Sequence, residues 1–303
     1  MTPLFIITGP TGIGKSYFGH RLALEKEFPI LSIDSMLVYK SLNIGTAKPS
    51  KEELEEVHHY CVSNVDDHEN YDMAKFVNDA NAAIQKHNGD LIGVGGTPFY
   101  IKALTQGFEK VETLDGLESK LGVLETDEAY RWLQKLDSTR AEKLHSNDRF
   151  RILRALTIIL STGQKASSFA PPDPNEQLSK HTIIALNADR KLMHQRIEQR
   201  VDQMLAQGLE AEAKNLFEND TPLSKTAAAG VGYKEMFSYF RGELSLEEAR
   251  EKIIVATRRL LKHQMTWLRK WPVTWIDVNF DEPDQTFDRL KELLDSHLKN
   301  KNS

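Results

Sequence analysis

Cysteine is nearly absent, with Cys61 the one thiol in 303 residues. A lone cysteine forms no internal disulfide and no cysteine-based zinc site, which points to a reduced, cytoplasmic setting. Long apolar runs are missing too: none approaches the ~20 residues that cross a bilayer. Met1-Thr2-Pro3 leads straight into an apolar stretch, without the charged, apolar and small-residue order of a secretory signal. There is no excess of positive charge. The net is −5, which argues against a generally basic nucleic-acid coat but leaves a local patch open. Repeats and low-complexity segments are lacking as well. What remains is the composition of a soluble globular protein, long enough for one large or two modest domains.

The stretch that organises the rest stands at the start. Leu4-Phe5-Ile6-Ile7-Thr8 is an apolar, β-branched run, followed by Gly9-Pro10-Thr11-Gly12-Ile13-Gly14-Lys15-Ser16 and a helical segment from Tyr17 to Glu27. Strand, glycine loop and helix fit G-x-x-x-x-G-K-[ST] at every fixed position. Glycines let backbone N–H groups crowd phosphate oxygens, and the helix turns its positive end toward them. Lys15 would reach a terminal phosphate and Ser16 would take a place on Mg²⁺. A di- or triphosphate ligand is expected.

Pro29-Ile30-Leu31-Ser32-Ile33-Asp34-Ser35 reads as a second buried strand. In an open parallel sheet, ligands sit at the carboxyl ends of strands, so Asp34 stands beside the phosphates if this strand neighbours the first. Alternatively Asp34 caps a helix. A polar loop (39–50) and an acidic helix (51–59) follow. His58 and His59 are adjacent and share no helix face, so packing or surface roles suit them better than metal ligation. A helix over 71–86 stops at Asn88-Gly89.

The third strand, Asp90-Leu91-Ile92-Gly93-Val94-Gly95-Gly96-Thr97, lacks the terminal carboxylate that holds Mg²⁺ in motor ATPases and GTPases. That favours group transfer over a nucleotide switch, with Thr97 near the phosphates, or else a tight turn built from glycines. From 108 to 170 strand signals vanish and short helices follow (127–136, 138–144, 148–160), an all-helical insertion able to act as a lid. Within it Arg151 and Arg154 share a face, which either contacts a ligand or is simply solvated. Pro171-Pro172-Asp173-Pro174 reads as a linker.

Thr182-Ile183-Ile184-Ala185-Leu186-Asn187 returns the chain to the sheet, and Asp189 opens a helix with Arg196 and Arg200 at i and i+4. Arginines so placed neutralise transferring phosphates. Ala229-Gly230-Val231-Gly232-Tyr233-Lys234 is a small-residue loop that permits close approach. A long helix (245–271) then ends in a basic, tryptophan-bearing stretch, suited to phosphate contacts and base stacking on one face and to core packing by Leu260, Leu261, Trp267 and Leu268 on another. Val273 to Val278 makes a fifth strand. The residues leave two main readings: a P-loop small-molecule kinase with Asp34 as base, or an RNA-directed transferase whose P-loop holds a pyrophosphate leaving group. The basic helix and the Gly230 loop favour the second.

Taken in order, these motifs resemble one family, the tRNA dimethylallyltransferases (tRNA isopentenyltransferases), in their bacterial form. The likeness is carried by Gly9-Pro10-Thr11 with Gly14-Lys15-Ser16, Asp34-Ser35 with Tyr39, Gly45-Thr46-Ala47-Lys48-Pro49, Gly95-Gly96-Thr97, the 145–154 segment, Val231-Gly232-Tyr233-Lys234, and Gln264 with Thr266-Trp267-Leu268-Arg269. The resemblance implies an α/β, P-loop NTPase-like parallel sheet flanked by helices, with core at 1–107 and 171–303 and the insertion at 108–170. It implies a cytoplasmic, monomeric transferase that uses Mg²⁺ to move a dimethylallyl group from dimethylallyl diphosphate to N6 of the adenosine immediately 3′ of a tRNA anticodon. Gly9 to Ser16, Arg196 and Arg200 would bind diphosphate, with Ser16 on Mg²⁺. Asp34 would accept the N6 proton, and Thr97 would sit opposite, near the leaving oxygen. The anticodon loop, its adenosine flipped out, would lie on Asp34-Ser35-Met36-Leu37, Thr97, Phe150-Arg151-Ile152-Leu153-Arg154, Ala229 to Lys234, and Lys262-His263-Gln264-Met265-Thr266-Trp267-Leu268-Arg269. The chain departs from the family at Ala229, where Arg or Gln is usual, in a shorter insertion, and in having no zinc-finger extension.

Overall fold

The computed structural model describes residues 2–107, 111–114, 116–169, 178 and 180–301. The expected linker at 171–174 lies outside them. By internal contacts the chain divides into two compact units, residues 1–105 with 175–303, and residues 106–174.

The first unit is built on six parallel strands: β1 (Phe5–Thr8), β2 (Ile30–Ile33), β3 (His59–Tyr60), β4 (Ile92–Gly95), β5 (Thr182–Asn187) and β6 (Thr274–Asp277). Their order across the sheet is β3-β2-β4-β1-β5-β6. Every residue of β1, β2 and β4 is buried, as expected of strands covered by helices on both faces, and this is why they read as unbroken apolar runs. The P-loop α/β architecture expected from the sequence is the one observed.

Two details differ. The acidic helix ends at Glu56, and His59–Tyr60 forms a two-residue strand beside β2. A pair of residues carries no readable period-2 pattern, so this edge strand escaped the sequence. Second, β2 does not adjoin β1, because β4 lies between them. Glycine brings the layers close there: a Cβ on Gly93 would sit 3.1 Å from both Ile33 and Ile6 side chains.

Around the sheet run α1 (Lys15–Lys26), α2 (Lys51–Glu56), α3 (Met73–Lys86) and α4 (Pro98–Gln106). In the second unit come α5 (Leu117–Leu121), α6 (Thr126–Leu136), α7 (Ser138–Ala141) and α8 (Arg149–Thr162). The first unit resumes with α9 (Arg190–Ala206), α10 (Leu209–Phe217), α11 (Lys225–Ala228), α12 (Tyr233–Phe240), α13 (Leu246–Leu268) and α14 (Pro283–Lys301). Helix starts follow capping chemistry. Asp72 accepts from Lys75 N–H before α3, Asp189 from the Lys191 and Leu192 amides before α9, and Ser245 with Glu248 closes a capping box at α13. Arg250 holds Asp202 through two hydrogen bonds (2.6 and 3.0 Å), and Arg258 pairs with Glu198, tying α13 to α9.

At the opposite edge from the glycine loop, buried His181 accepts from Leu4 N–H through Nδ1 at 3.2 Å. Burial pushes this imidazole down to about 4. His59 bonds its own turn at Val57 O and stacks on His20, and His58 packs edge-on against Tyr60. No group of three or more His, Cys, Asp or Glu side chains suited to a metal occurs among the described residues. The second unit has its own core of Leu121, Ala129, Leu133, Ile152, Leu153 and Leu156. There Arg149 donates to Leu124 O and Gly122 O, both at 2.6 Å, and so fastens α8 to the turn between α5 and α6.

Candidate active site

The loop between β1 and α1 takes a shape that only glycines reach easily. Gly9, Gly12 and Gly14 have φ of 144°, 82° and 98°, the left-handed region closed to most side chains. At Gly9 a Cβ would also lie 2.8 Å from Leu186 O of β5, so the loop is pressed against the sheet. Gly14 leads into α1, whose first residues are Lys15 and Ser16. The half-buried Lys15 donates from Nζ to Pro10 O at 2.8 Å. Lost hydration lowers its pKa to about 7; the charge of Arg200 pushes the same way, and Asp34 opposes both. Ser16 is exposed on the wall of the cavity described below.

Two further strand ends converge on this loop. Asp34, just past β2, accepts through Oδ1 from the Met36 and Leu37 amides (2.8 and 3.3 Å). It therefore caps its own turn, and no described residue hydrogen-bonds its second oxygen. No helix starts there, so the capping expected from the sequence is that of a turn, and Asp34 also lines the cavity described below. From α9, Arg196 donates Nε to Gly12 O at 3.2 Å and lays its guanidinium 3.9 Å from the Phe280 ring centroid. Arg200 is sunk beside Asp34; desolvation lowers its pKa most, with Asp34 opposing and Arg196 adding to the drop. The carboxylates two residues on, Glu198 and Asp202, are taken by Arg258 and Arg250. Lys15, Arg196 and Arg200 thus gather around Asp34, a local excess of positive charge suited to an anion.

They line a cavity of about 480 Å³ walled by Thr11, Gly12, Lys15, Ser16, Gly96, Arg196 and Arg200, with Thr46 to Pro49 opposite. A second cavity of about 270 Å³ is lined by Ser35, Met36, Gly45 and the Ala229–Tyr233 segment. Thr11, Asp34, Thr46, Arg200, Met204 and Leu260 line both. A charged chamber and a more apolar one therefore meet at Asp34.

The loop at 43–45, which leads into the cavity wall, is held by a carboxylate that no sequence motif marks. Glu212 of α10 accepts from the Asn43, Ile44 and Gly45 amides at 2.9 to 3.2 Å and from the Tyr233 hydroxyl at 2.6 Å. The Tyr233 ring also explains Gly45, because a Cβ there would stand 2.6 Å from it. Lys48, lowered to about 8 by burial, donates to Tyr39 O (2.5 Å) and Lys40 O (3.1 Å) from the loop's other end. Glu212 has no motif around it; only the fold brings it to this loop.

The remaining expected site residues separate by exposure. Gly9 to Ser16, Asp34 to Leu37, Arg196, Arg200 and Ala229 to Tyr233 converge in the first unit. Thr97 is half-buried at the start of α4, where its carbonyl accepts from Tyr100 and Ile101 N–H, and it lines neither cavity. On α13, Lys262, His263 and Thr266 are exposed, Met265 and Trp267 half-buried, and Gln264 and Leu268 buried; Arg269, capping its end, is exposed. Leu260 reaches the cavities while Leu261 packs in the core. Tyr233 is wholly buried, with Lys234 exposed beside it. In the second unit Phe150 (72% exposed) and Arg151 face solvent, Arg151 paired with Asp148, Arg154 is half-buried, and Ile152 and Leu153 belong to the core.

A parallel sheet whose first strand runs through a glycine loop into a helix, with a cationic chamber beside that loop, defines a P-loop-like α/β protein. The IPP transferase family model matches residues 37–271. The chain is 34% identical, over 96% of its length and 91% of the relative's, to the tRNA dimethylallyltransferase of Natranaerobius thermophilus. Among solved structures it resembles the full-length tRNA isopentenylpyrophosphate transferase of Bacillus halodurans (TM-score 0.71, 31% identity, all of both chains). It also resembles a eukaryotic dimethylallyltransferase that acts on tRNA (TM-score 0.76, 27% identity, 91% of this chain and 74% of that one). The chain belongs to the IPP transferase family.

Proposed function

We propose that this protein transfers a dimethylallyl group from dimethylallyl diphosphate to N6 of the adenosine immediately 3′ of the anticodon of a tRNA, releasing diphosphate. The observation that carries this reading is the meeting of the two chambers at Asp34, cations on one side and the Ala229–Tyr233 segment on the other. The charged chamber takes the diphosphate, and the second takes the flipped adenine.

Lys15, Arg196 and Arg200, with the P-loop amides, neutralise charge that grows on the leaving oxygen as the allylic C1–O bond breaks. N6 attacks C1, and its proton passes to the unengaged oxygen of Asp34. Mg²⁺ fits this donor set. The ion usually keeps several waters and binds phosphates with one or two protein ligands, and the exposed Ser16 hydroxyl opens into the charged chamber. Bound there, it would add Lewis-acid stabilisation to the leaving diphosphate.

Solvent-facing Phe150, Arg151, Lys234, Lys262, His263, Thr266 and Arg269 are the residues proposed to touch RNA. Their buried neighbours Ile152, Leu153 and Leu268 shape the scaffold, and Tyr233 lines the second chamber. No helix of the described residues is long and apolar enough to cross a membrane, and we propose a cytoplasmic monomer. The test is Asp34→Asn in a single-turnover reaction with saturating substrates. Transfer should slow by about 10²–10⁴-fold with pyrophosphate binding kept. An unchanged rate would remove Asp34 from the chemistry.

A further inference from the structure

Gln264 lies in the middle of the basic stretch expected to meet RNA, yet its side chain turns inward. It is 6% exposed, whereas Lys262, His263 and Thr266 are open to solvent. Its Oε1 accepts from Thr11 N–H at 2.8 Å, and its Nε2 donates to Gly96 O at 2.8 Å. One amide on α13 thus fastens the crown of the P-loop to the end of β4. Gly96 leaves room for this fastening: a Cβ there would stand 2.5 Å from Gln264 Nε2, 3.2 Å from Gly9 O and 3.4 Å from Lys15 Nζ.

The choice of amide has a physical reason. A carboxamide offers one acceptor and one donor at fixed spacing, which matches an N–H and a C=O on two separate segments. It also brings no charge to compete with Lys15 or to repel an anion. A glutamate would face Gly96 O without a proton to donate, and a lysine would have nothing to accept from Thr11.

We propose that Gln264 is a positioning residue for the diphosphate. It holds Thr11 and Gly96 at a fixed separation, keeps the P-loop in the shape in which Lys15, Arg196 and Arg200 converge, and works with the loop rather than with the RNA face of its own helix. This rests on the reading above that the loop binds the diphosphate of an allylic donor.

The experiment titrates inorganic pyrophosphate with Mg²⁺ by calorimetry, and an unmodified anticodon stem-loop RNA by gel shift, on wild type, Gln264→Met, Gly96→Ala and Lys262→Ala. Methionine keeps the volume and removes both hydrogen bonds. The alanine at 96 puts a methyl where the amide sits and opens the clasp from the other side, so a folding failure in one variant leaves the other to decide. Both clasp variants should bind pyrophosphate about tenfold more weakly and RNA within about twofold of wild type. Lys262→Ala should show the converse. In steady state the clasp variants should raise KM for the donor and leave KM for RNA alone, a split that general loosening of the fold does not produce. Wild-type pyrophosphate affinity in both clasp variants would overturn the proposal, and so would a loss confined to RNA. Wild type that binds pyrophosphate but neither binds nor prenylates RNA would sink the prenyl-transfer reading while the pyrophosphate titration still judges the clasp. Wild type that binds no pyrophosphate would overturn both.

Discussion

Raising the pH should weaken diphosphate binding, and Lys15 sets by how much. In the ligand-free chamber its amine sits at about 7, because burial and Arg200 outweigh the attraction of Asp34. A bound diphosphate brings negative charge against that amine and restores its ordinary affinity for a proton. Below pH 7 the amine is already charged, so binding needs no proton. Above pH 7 binding must take one up, and affinity falls about tenfold per pH unit until the pKa of the complex is reached. Between pH 7 and pH 9 the protonated fraction drops from about one half to about one hundredth, a loss of about 50-fold or ~2.3 kcal/mol. Calorimetry of a donor analogue in two buffers of different ionisation enthalpy reads the uptake directly; at pH 8 it should be about 0.9 proton. Lys15→Arg, whose guanidinium stays charged, should flatten the profile and abolish the uptake. Wild-type binding that is flat from pH 7 to 9, with no proton taken up, would refute the argument.

Three other outcomes follow from the same geometry. Glu212→Ala strips three backbone amides and the Tyr233 hydroxyl of their acceptor; stability should fall by about 2–4 kcal/mol, read as a drop in urea midpoint, while Glu212→Gln loses less. His181 is held neutral by burial, with its folded pKa near 4 against ~6.5 unfolded. Its neutral form supports the fold fully above ~6.5, and the support is lost as pH falls from there toward 4, up to about 3 kcal/mol. Urea titrations at pH 7 and pH 4.5 should show a smaller loss in His181→Gln than in wild type, and equal losses would contradict this. Arg200→Ala should cost more pyrophosphate affinity than Arg196→Ala, because Arg200 lines both cavities and Arg196 only the first, and calorimetry ranks the two directly.

Much of the site was legible because phosphate chemistry writes itself locally. The P-loop is one continuous segment, and Arg196 and Arg200 lie one turn apart on a helix opened by Asp189, so spacing gave both their element and their common direction. The sheet was legible for a related reason: fully buried parallel strands are unbroken apolar runs. What stayed hidden depends on contacts distant in sequence. Glu212 is 167 to 169 residues from the amides it holds, and Gln264 is 253 residues from Thr11. Motif segments also carry residues of opposite orientation. In 150–154 and 262–269 helical periodicity sends Phe150, Arg151, Lys262 and His263 outward, and Ile152, Leu153, Gln264 and Leu268 inward. One segment can therefore hold residues of both kinds, and Tyr233 combines them: it bonds Glu212 in the interior and lines the second cavity. Thr97 stands just before α4 and lines neither cavity.

In the proposed reaction the charged chamber and the second chamber serve one prenyl transfer at Asp34. Purified protein incubated with Mg²⁺, dimethylallyl diphosphate labelled in its allylic carbons, and unmodified bacterial tRNA tests it most directly. Label should enter RNA at the adenosine beside the anticodon, with one diphosphate released per group transferred, and Asp34→Asn should abolish most of it. Absence of label from RNA, together with phosphate moving from ATP to a small acceptor, would contradict the account and leave a small-molecule kinase in its place.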